Sequence, residues 1–299
     1  MNVPLVSVII PTYNGSRFIR ETIQSVIGQT YPKIEIIVID DGSTDNTPDI
    51  VKSINDPRLI HIRQANSGVS MARNHGIDIS HGDYIAFLDH DDVWLPHKLE
   101  RQLQLFKEDP NIAMVYSDTF IIDENNSIIN TYSHKIKFYR GMIFKELFSS
   151  CFITILTVVI KKPVFLEVGP FLPFKIGEDY DLFLKCAARY PIDYIDEPLA
   201  KYRVHESNYS KNYETEVSEC IEIFDFWKNQ GNVIGYDMNK LVGKAIINTY
   251  YNAFKNALRR RKDYKGAIKY FFYFFIARLK SIVLRILLKT VFSPIRKQF

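Results

Sequence analysis

Asp83-Tyr84-Ile85-Ala86-Phe87-Leu88-Asp89-His90-Asp91-Asp92 joins a short apolar run to three carboxylates in four residues. The run is bounded by Gly82 and by acids, and it reads as a buried strand that ends in a carboxylate cluster. Trp94-Leu95-Pro96 follows, with Pro96 where a first helical residue stands, which predicts a helix over His97–Lys107. Carboxylates this close repel one another unless positive charge lies between them. A hard divalent cation carrying a diphosphate meets that need, because such ions take one or two carboxylates plus phosphate oxygens. The four residues alone also allow a polar loop whose Asp side chains cap the next helix.

Working outward, the same alternation of apolar run and polar cluster recurs. Val6–Ile10, Ile34–Ile39 and Leu59–Ile62 read as strands. Between them, Phe18, Ile19, Ile23, Val26 and Ile27 recur at helical spacing, and Thr47-Pro48 opens a second helix with Thr47 as its cap. Gly68–Ile79 reads as a third helix. This order predicts a parallel sheet with helices on both faces. Ligands of such sheets bind outside the carboxyl ends of the strands, where Thr12–Asn14, Asp40–Asp41 and Asp89–Asp92 all fall. Beyond Asp109-Pro110 the pattern loosens. Ile112–Tyr116, Phe120–Ile122, Ile128–Thr131, Thr157–Ile160, Ile192–Ile195 and Leu199–Val204 read as short strands, Tyr180–Arg189 as a helix, and everything past Tyr213 as helical.

With 299 residues, 46% hydrophobic and 24% charged, the chain can bury a sizeable core. Cys151, Cys186 and Cys220 are odd in number and widely spaced, which points to a reducing compartment and to neither disulfides nor zinc. The first residues lack a signal-peptide pattern, so the fold is expected to start at residue 1. Pro11–Gly15 is not the GxGxxG that a dinucleotide-binding enzyme needs after its first strand.

Five stretches now carry a resemblance: Val8-Ile9-Ile10-Pro11-Thr12-Tyr13-Asn14, Val38-Ile39-Asp40-Asp41-Gly42-Ser43-Thr44-Asp45, Asn66-Ser67-Gly68 with Ala72-Arg73-Asn74, Leu88-Asp89-His90-Asp91-Asp92, and Glu178-Asp179-Tyr180-Asp181. In this order and spacing they resemble the motif series of family 2 glycosyltransferases, over roughly residues 5–210. The resemblance implies the GT-A fold, an α/β nucleotide-diphospho-sugar sandwich. It also implies transfer of a sugar from a nucleotide diphosphate, UDP favoured, with inversion at the anomeric carbon. On this reading Thr12, Asn14, Asp40, Asn66 and Gly68 bind the donor, and Arg73 either reaches the diphosphate or is an ordinary exposed helical Arg. Asp91, and Asp89 beside it, would contact donor and metal, manganese or magnesium, with Asp92 in support. Asp179 would be the catalytic base, kept ionised by the helix behind it, with Glu178 as the fallback. Tyr202-Arg203-Val204-His205, with Ser207, Asn208 and Ser210, resembles a stretch that follows the acidic pair in relatives, where His205 completes the metal site or touches the diphosphate.

The expected division is a catalytic domain over 1–212 and a helical C-terminal extension over 213–299. From Lys255 onward thirteen Lys or Arg stand against one acid, a local charge of +12 within a total of +4. Tyr270–Phe292 carries Arg278, Arg285 and Lys289 on one helical face beside Phe, Ile and Leu, and Arg259-Arg260-Arg261-Lys262 lies upstream. No stretch is free of charge for long enough to span a bilayer, so the tail is expected to lie in a membrane interface or to pack on the body. No nucleic-acid motif accompanies the charge. The whole reads as a cytoplasmic enzyme held at the inner face of a membrane, with a saccharide acceptor carried on a lipid. A metal-dependent nucleotidyltransferase and a non-catalytic sugar-nucleotide-binding subunit are the alternatives.

Overall fold

Where an apolar run is covered on both faces it becomes a central strand, and β1 (Val6–Thr12), buried throughout, is the first. A computed structural model describes residues 3–206, 208, 213–230, 232–233, 235–260 and 263–292. In chain order β1 is followed by α1 (Ile19–Ile27), β2 (Ile34–Asp40), α2 (Thr47–Lys52), β3 (Leu59–Arg63), α3 (Val69–Ile79) and β4 (Tyr84–Phe87). Then come β5 (Val93–Trp94), α4 (Lys98–Glu108), β6 (Met114–Ile122), β7 (Ile128–Thr131), α5 (Phe144–Ser149), β8 (Val159–Lys161), α6 (Val164–Val168), α7 (Glu178–Ala187) and β9 (Ile192–Arg203). The C-terminal region adds α8 (Tyr213–Asn229), β10 (Asn232–Val233), β11 (Tyr236–Asp237), α9 (Met238–Arg260) and α10 (Tyr264–Phe292).

Nine strands form one sheet in the order β3-β2-β1-β4-β8-β6-β9-β5, with β7 added to β6. The parallel arrangement holds from β3 through β4. Beyond that the sheet is mixed: β8 runs antiparallel to β4 and β6, β6 runs parallel to β9, and β5 runs antiparallel to β9. The expected parallel sheet is thus found in the first four strands, and the looser pattern expected after Asp109 is the mixed part of the sheet. Two pairs of expected strands are each one long strand, β6 and β9. Pro96 precedes the helix rather than opening it, since α4 starts at Lys98 with His97 as its cap. The cap of α2 also moves: Asp45 accepts from Thr47 N and from Thr47 Oγ1 (3.0 and 2.5 Å), and Thr47 is the first helical residue.

The sheet is apolar on both faces for a visible reason. Ile36 and Val38 of β2 join the core with Ile19 and Ile23 of α1 and Val51 of α2, while Ile37 and Ile39 pack on Ala72 of α3. Such two-sided burial turns an alternating strand into a continuous apolar run. Helix α3 crosses β1 at Gly76, where an added Cβ would lie 2.6 Å from Ile9 Cγ2.

By internal contacts the chain divides into Met1–Leu147 with Cys151–Lys211, and Phe148–Ser150 with Asn212–Phe299. In the second unit Val217, Ala253, Ala257, Ala267 and Tyr270 form a small core. The region beyond Tyr213 is not all helix, because β10 and β11 make a two-stranded hairpin. Ser207, Ser210, Arg261 and Lys262 lie outside the described residues, as do the side chains of Arg259, Arg260, Arg285 and Lys289. Among the described residues no helix is long and apolar enough to cross a membrane.

Replacing Gly76 with Val should overpack the α3–β1 contact and destabilise the first unit by roughly 1–3 kcal/mol. Urea denaturation measures this, and an unchanged midpoint would mean that Ile9 swings aside without strain.

Candidate active site

The parallel order of β2, β1 and β4 brings their carboxyl ends side by side. Thr12 and Asp40 are cross-strand partners at the ends of β1 and β2, and both are buried. Asp40 Oδ1 accepts from Ser43 N at 2.8 Å, while Asp40 Oδ2 and Thr12 Oγ1 have no hydrogen-bond partner. Unpaired buried polar atoms are rare in folded proteins, and these two stand at neighbouring strand ends, which makes them candidate ligand contacts. His61 Nε2, also unpaired, lies 4.0 Å from Asp40 Oδ2, and Arg63 Nε lies 3.7 Å from the same oxygen. Burial lowers the pKa of His61, so its ring is held neutral.

The loops above these strands are tied to one another. Asn14, at φ 50°, accepts from Thr44 N at 2.8 Å and donates its own N–H to Ser43 Oγ at 3.0 Å, so its side-chain oxygen organises the pocket wall. Asp41 holds the third loop: Gln64 Nε2 and Ser67 N donate to one oxygen and Gly68 N to the other, at 2.8–2.9 Å. Asn66 and Gly68 are exposed on that loop, and Gly68 enters α3 at φ 91°, a conformation suited to glycine. Gly15 is needed for a different reason, since a Cβ there would sit 2.6 Å from Thr12 Oγ1 and 2.7 Å from the His90 ring.

Arg73 joins two of the acidic motifs. It is 2% exposed, which excludes the ordinary exposed helical Arg of the two readings above. Its Nη1 donates to Glu178 Oε1 at 2.6 Å and its Nη2 to Asp89 Oδ1 at 2.7 Å. The Asp89–Asp92 turn and the start of α7 therefore meet at one guanidinium, which reaches Glu178 across 105 residues of sequence. Glu178 and Asp179 lie within the first turn of α7, not ahead of it. Helix placement does not keep Asp179 ionised as expected: burial, then the neighbouring Glu178 carboxylate, push it up to about 8 against the pull of Arg73.

The other two carboxylates of the cluster turn toward β9. Asp91 Oδ2 lies 2.8 Å from His205 Nε2 and 3.4 Å from Asn208 Nδ2. Burial would raise Asp91, but the His205 hydrogen bond and the nearby rings of His90 and His205 hold it below the usual carboxylate range. Asp92 is enclosed, accepts from Arg203 N at 2.8 Å, and is raised well above that range by burial and by Asp91 and Asp89. Arg203 also donates through Nε to Asp91 O at 2.7 Å and through Nη2 to Glu21 Oε2 at 2.8 Å. Its guanidinium lies 4.5 Å from the Phe18 ring centre, and that ring is 5.3 Å from His205. Sequence reading missed Arg203 and Asp41 as organisers. The signal for Arg203 was its place at the end of a strand two residues before His205, and for Asp41 its place next to Gly42.

Residues 7–168 match the profile of glycosyl transferase family 2. The chain belongs to that family. An Escherichia coli relative, UDP-Glc:alpha-D-GlcNAc-diphosphoundecaprenol beta-1,3-glucosyltransferase WfgD, is 35% identical over 243 residues, 80% of this chain and 92% of its own. An uncharacterized glycosyltransferase of Rickettsia felis is 34% identical over 230 residues, 73% of this chain, which spans only 37% of that longer relative. Among solved structures, residues 1–349 of S. aureus TarS with UDP-GlcNAc superpose with a TM-score of 0.68 at 18% identity, covering 91% of this chain and 81% of that one. A mannosyltransferase from Pyrobaculum calidifontis with GDP-Man and Mn2+ gives 0.63 at 17%, covering 94% and 88%. This family 2 glycosyl transferase thus has the GT-A fold, with its unpaired polar atoms and its carboxylates at the carboxyl edge of the sheet.

Arg73→Met should leave Glu178 and Asp89 without their counter-charge and destabilise the first unit by roughly 3–5 kcal/mol. Adding Glu178→Gln to that variant should restore part of the loss. Denaturation of the single and double variants measures both, and equal stability of Arg73→Met and wild type would remove Arg73 from its organising role.

Proposed function

We propose that the chain is an inverting glycosyltransferase that moves a sugar from a nucleotide diphosphate, UDP favoured, to a hydroxyl of a lipid-linked saccharide. The observation that carries this reading is Arg73 joining the Asp89–Asp92 turn to the Glu178-Asp179 pair, beside the unpaired atoms of Thr12 and Asp40. Asp40 Oδ2 accepts an N–H of the base, and Thr12 lines the nucleoside pocket with the Asn14 and Asn66–Gly68 loops around it. WfgD is a UDP-Glc-dependent glucosyltransferase with a diphosphoundecaprenol-linked acceptor, and TarS is solved with UDP-GlcNAc, which supports both halves of the proposal. The acceptor's lipid places the enzyme's work at a membrane surface, on its cytoplasmic face.

A divalent cation fits one point of the site. Asp91 Oδ2, now hydrogen-bonded to His205 Nε2 at 2.8 Å, is a carboxylate oxygen of the kind manganese and magnesium take, and His205 would hold the ion beside it. Among the described residues no third His, Cys, Asp or Glu joins them, so substrate phosphate oxygens complete the set. Asp89, expected as a second ligand, is already ion-paired to Arg73. When bound, the metal neutralises charge developing on the departing diphosphate.

Proton removal falls to Asp179. Glu178 is engaged by Arg73 at 2.6 Å and enclosed, which leaves Asp179 as the carboxylate available to an acceptor. Asp179 takes the hydroxyl proton as that oxygen bonds to the anomeric carbon and the bond to the diphosphate breaks on the opposite side. A base titrating near 8 is well matched to this transfer near neutral pH.

Calorimetric titration with UDP, GDP and dTDP, with and without manganese, tests the donor reading. Manganese-dependent binding of UDP, lost in Asp91→Asn and His205→Ala, is the expected result, and no nucleotide binding by folded protein would overturn it. Asp179→Asn should abolish transfer while UDP binding persists. Because the base acts only when deprotonated, wild-type kcat/KM should rise with pH toward a plateau above about 8, by about tenfold per unit on the acid side. A flat profile between pH 6 and 8 would exclude Asp179 as the titrating base.

A further inference from the structure

Helix α10 packs one side on α9, where Ala267 and Tyr270 are buried against Ala253 and Ala257. Turned away from that contact, Tyr264, Ile268, Phe272, Phe275 and Leu279 are 44–70% exposed, and Phe271, 48% exposed, stands at its edge with its ring 5.5 Å from that of Phe254. At 3.6 residues per turn these six fall within an arc of roughly 100° and a length of roughly 22 Å. Scattered apolar residues on a surface need no explanation, but a contiguous stripe of this size marks a binding surface. The edges of the stripe are basic: Arg278 on one side, and Lys265 and Lys280 on the other, all exposed, while Lys269 is paired with Glu214 at 3.2 Å.

We infer that this stripe is the surface by which the chain lies on an anionic lipid bilayer, with the axis of α10 parallel to the membrane. The inference rests on the proposed lipid-linked acceptor for its purpose, and on the helix alone for its geometry. Phe and Leu enter the boundary between headgroups and acyl chains, while the flanking Lys and Arg meet lipid phosphates, the arrangement of an in-plane amphipathic helix. Charge selects this occupant over a second copy of the chain. Tyr264–Phe292 contains basic residues and no Asp or Glu, so two such faces repel each other, whereas each basic residue near an anionic surface contributes attraction.

Flotation of the full chain with phosphatidylcholine vesicles, with and without phosphatidylglycerol, tests this. Binding should require phosphatidylglycerol and weaken as salt is raised. Phe271→Ser with Phe275→Ser should lower partitioning by about tenfold for each ring removed. Lys265→Glu with Lys280→Glu should lower it by about fivefold or more per site. Circular dichroism and thermal unfolding of every variant report that the helices are intact, and UDP binding by the stripe variants separates this test from the donor reading. Asp91→Asn, in turn, should float like wild type. Equal binding to neutral vesicles, no flotation at all, stripe variants that float unchanged, or a dimer in sedimentation that the Phe substitutions dissolve would each overturn the inference.

Discussion

The buried guanidinium of Arg73 is the constraint on which the site depends. Two carboxylates from distant parts of the chain end within 2.7 Å of it, and the enclosed one, Glu178, would be costly to keep charged there without a cation. Ion pairs of this kind add little net stability relative to an apolar core, but breaking one is costly. Arg73 therefore acts less as a source of stability than as a condition on geometry. Only a fold that puts the end of β4 and the first turn of α7 at the same point leaves no charge stranded.

Arg203 plays the corresponding part on the other side of the carboxylate turn. Its main-chain N–H engages Asp92, its side chain engages the Asp91 carbonyl and Glu21, and its flat face covers Phe18. The turn between β4 and β5 is thereby held by one arginine at Asp89 and another at Asp91 and Asp92. A loop fixed at both ends loses little further entropy when substrate arrives, which is the advantage of a preorganised site. The bidentate, always-charged guanidinium suits both positions in a way that a lysine ammonium does not.

The first four strands and their polar ends were legible because each apolar run is short, branched and terminated by residues that stop a strand. The two-sided burial of Ile36–Ile39 makes that signal continuous, and Asp40-Asp41-Gly42 closes it. After Asp109 the signal weakens for a physical reason: β6 and β9 pass through polar residues such as Ser117, Asp118, Asp196 and Glu197, and the register shifts between Ser117 and Thr119. Irregular pairing breaks the two-residue period that marks a strand. Helices α5 and α6 were invisible because at six and five residues they are too short to display a period. At the site, the motif resemblance pointed to the carboxylates and to Arg73 and His205, but not to which carboxylate each one meets. Arg73 reads equally as a diphosphate contact or a surface residue until the fold buries it between Asp89 and Glu178, and Arg203 reads as a strand residue until β9 carries it to the turn.

The same limit explains why the protonation state of each acid could not be read from its letter. Asp91, Asp92 and Asp179 are chemically one residue type, yet their surroundings drive them apart. Imidazoles hold Asp91 in its charged form, where a cation or phosphate-bound metal can use it. Enclosure and two like neighbours push Asp92 the other way, and its role is to hold β9 through the Arg203 N–H. Asp179 lies between these extremes because burial and Glu178 raise it while Arg73 draws it back. Environments that separate the pKa values of similar groups assign them different work. Since Arg73 touches Glu178 and Asp89 and also acts on Asp179, the residue that closes the fold at this point is also the one that tunes the proposed base. Stability and proton affinity are therefore coupled through one side chain, and a change at Arg73 cannot alter one without the other.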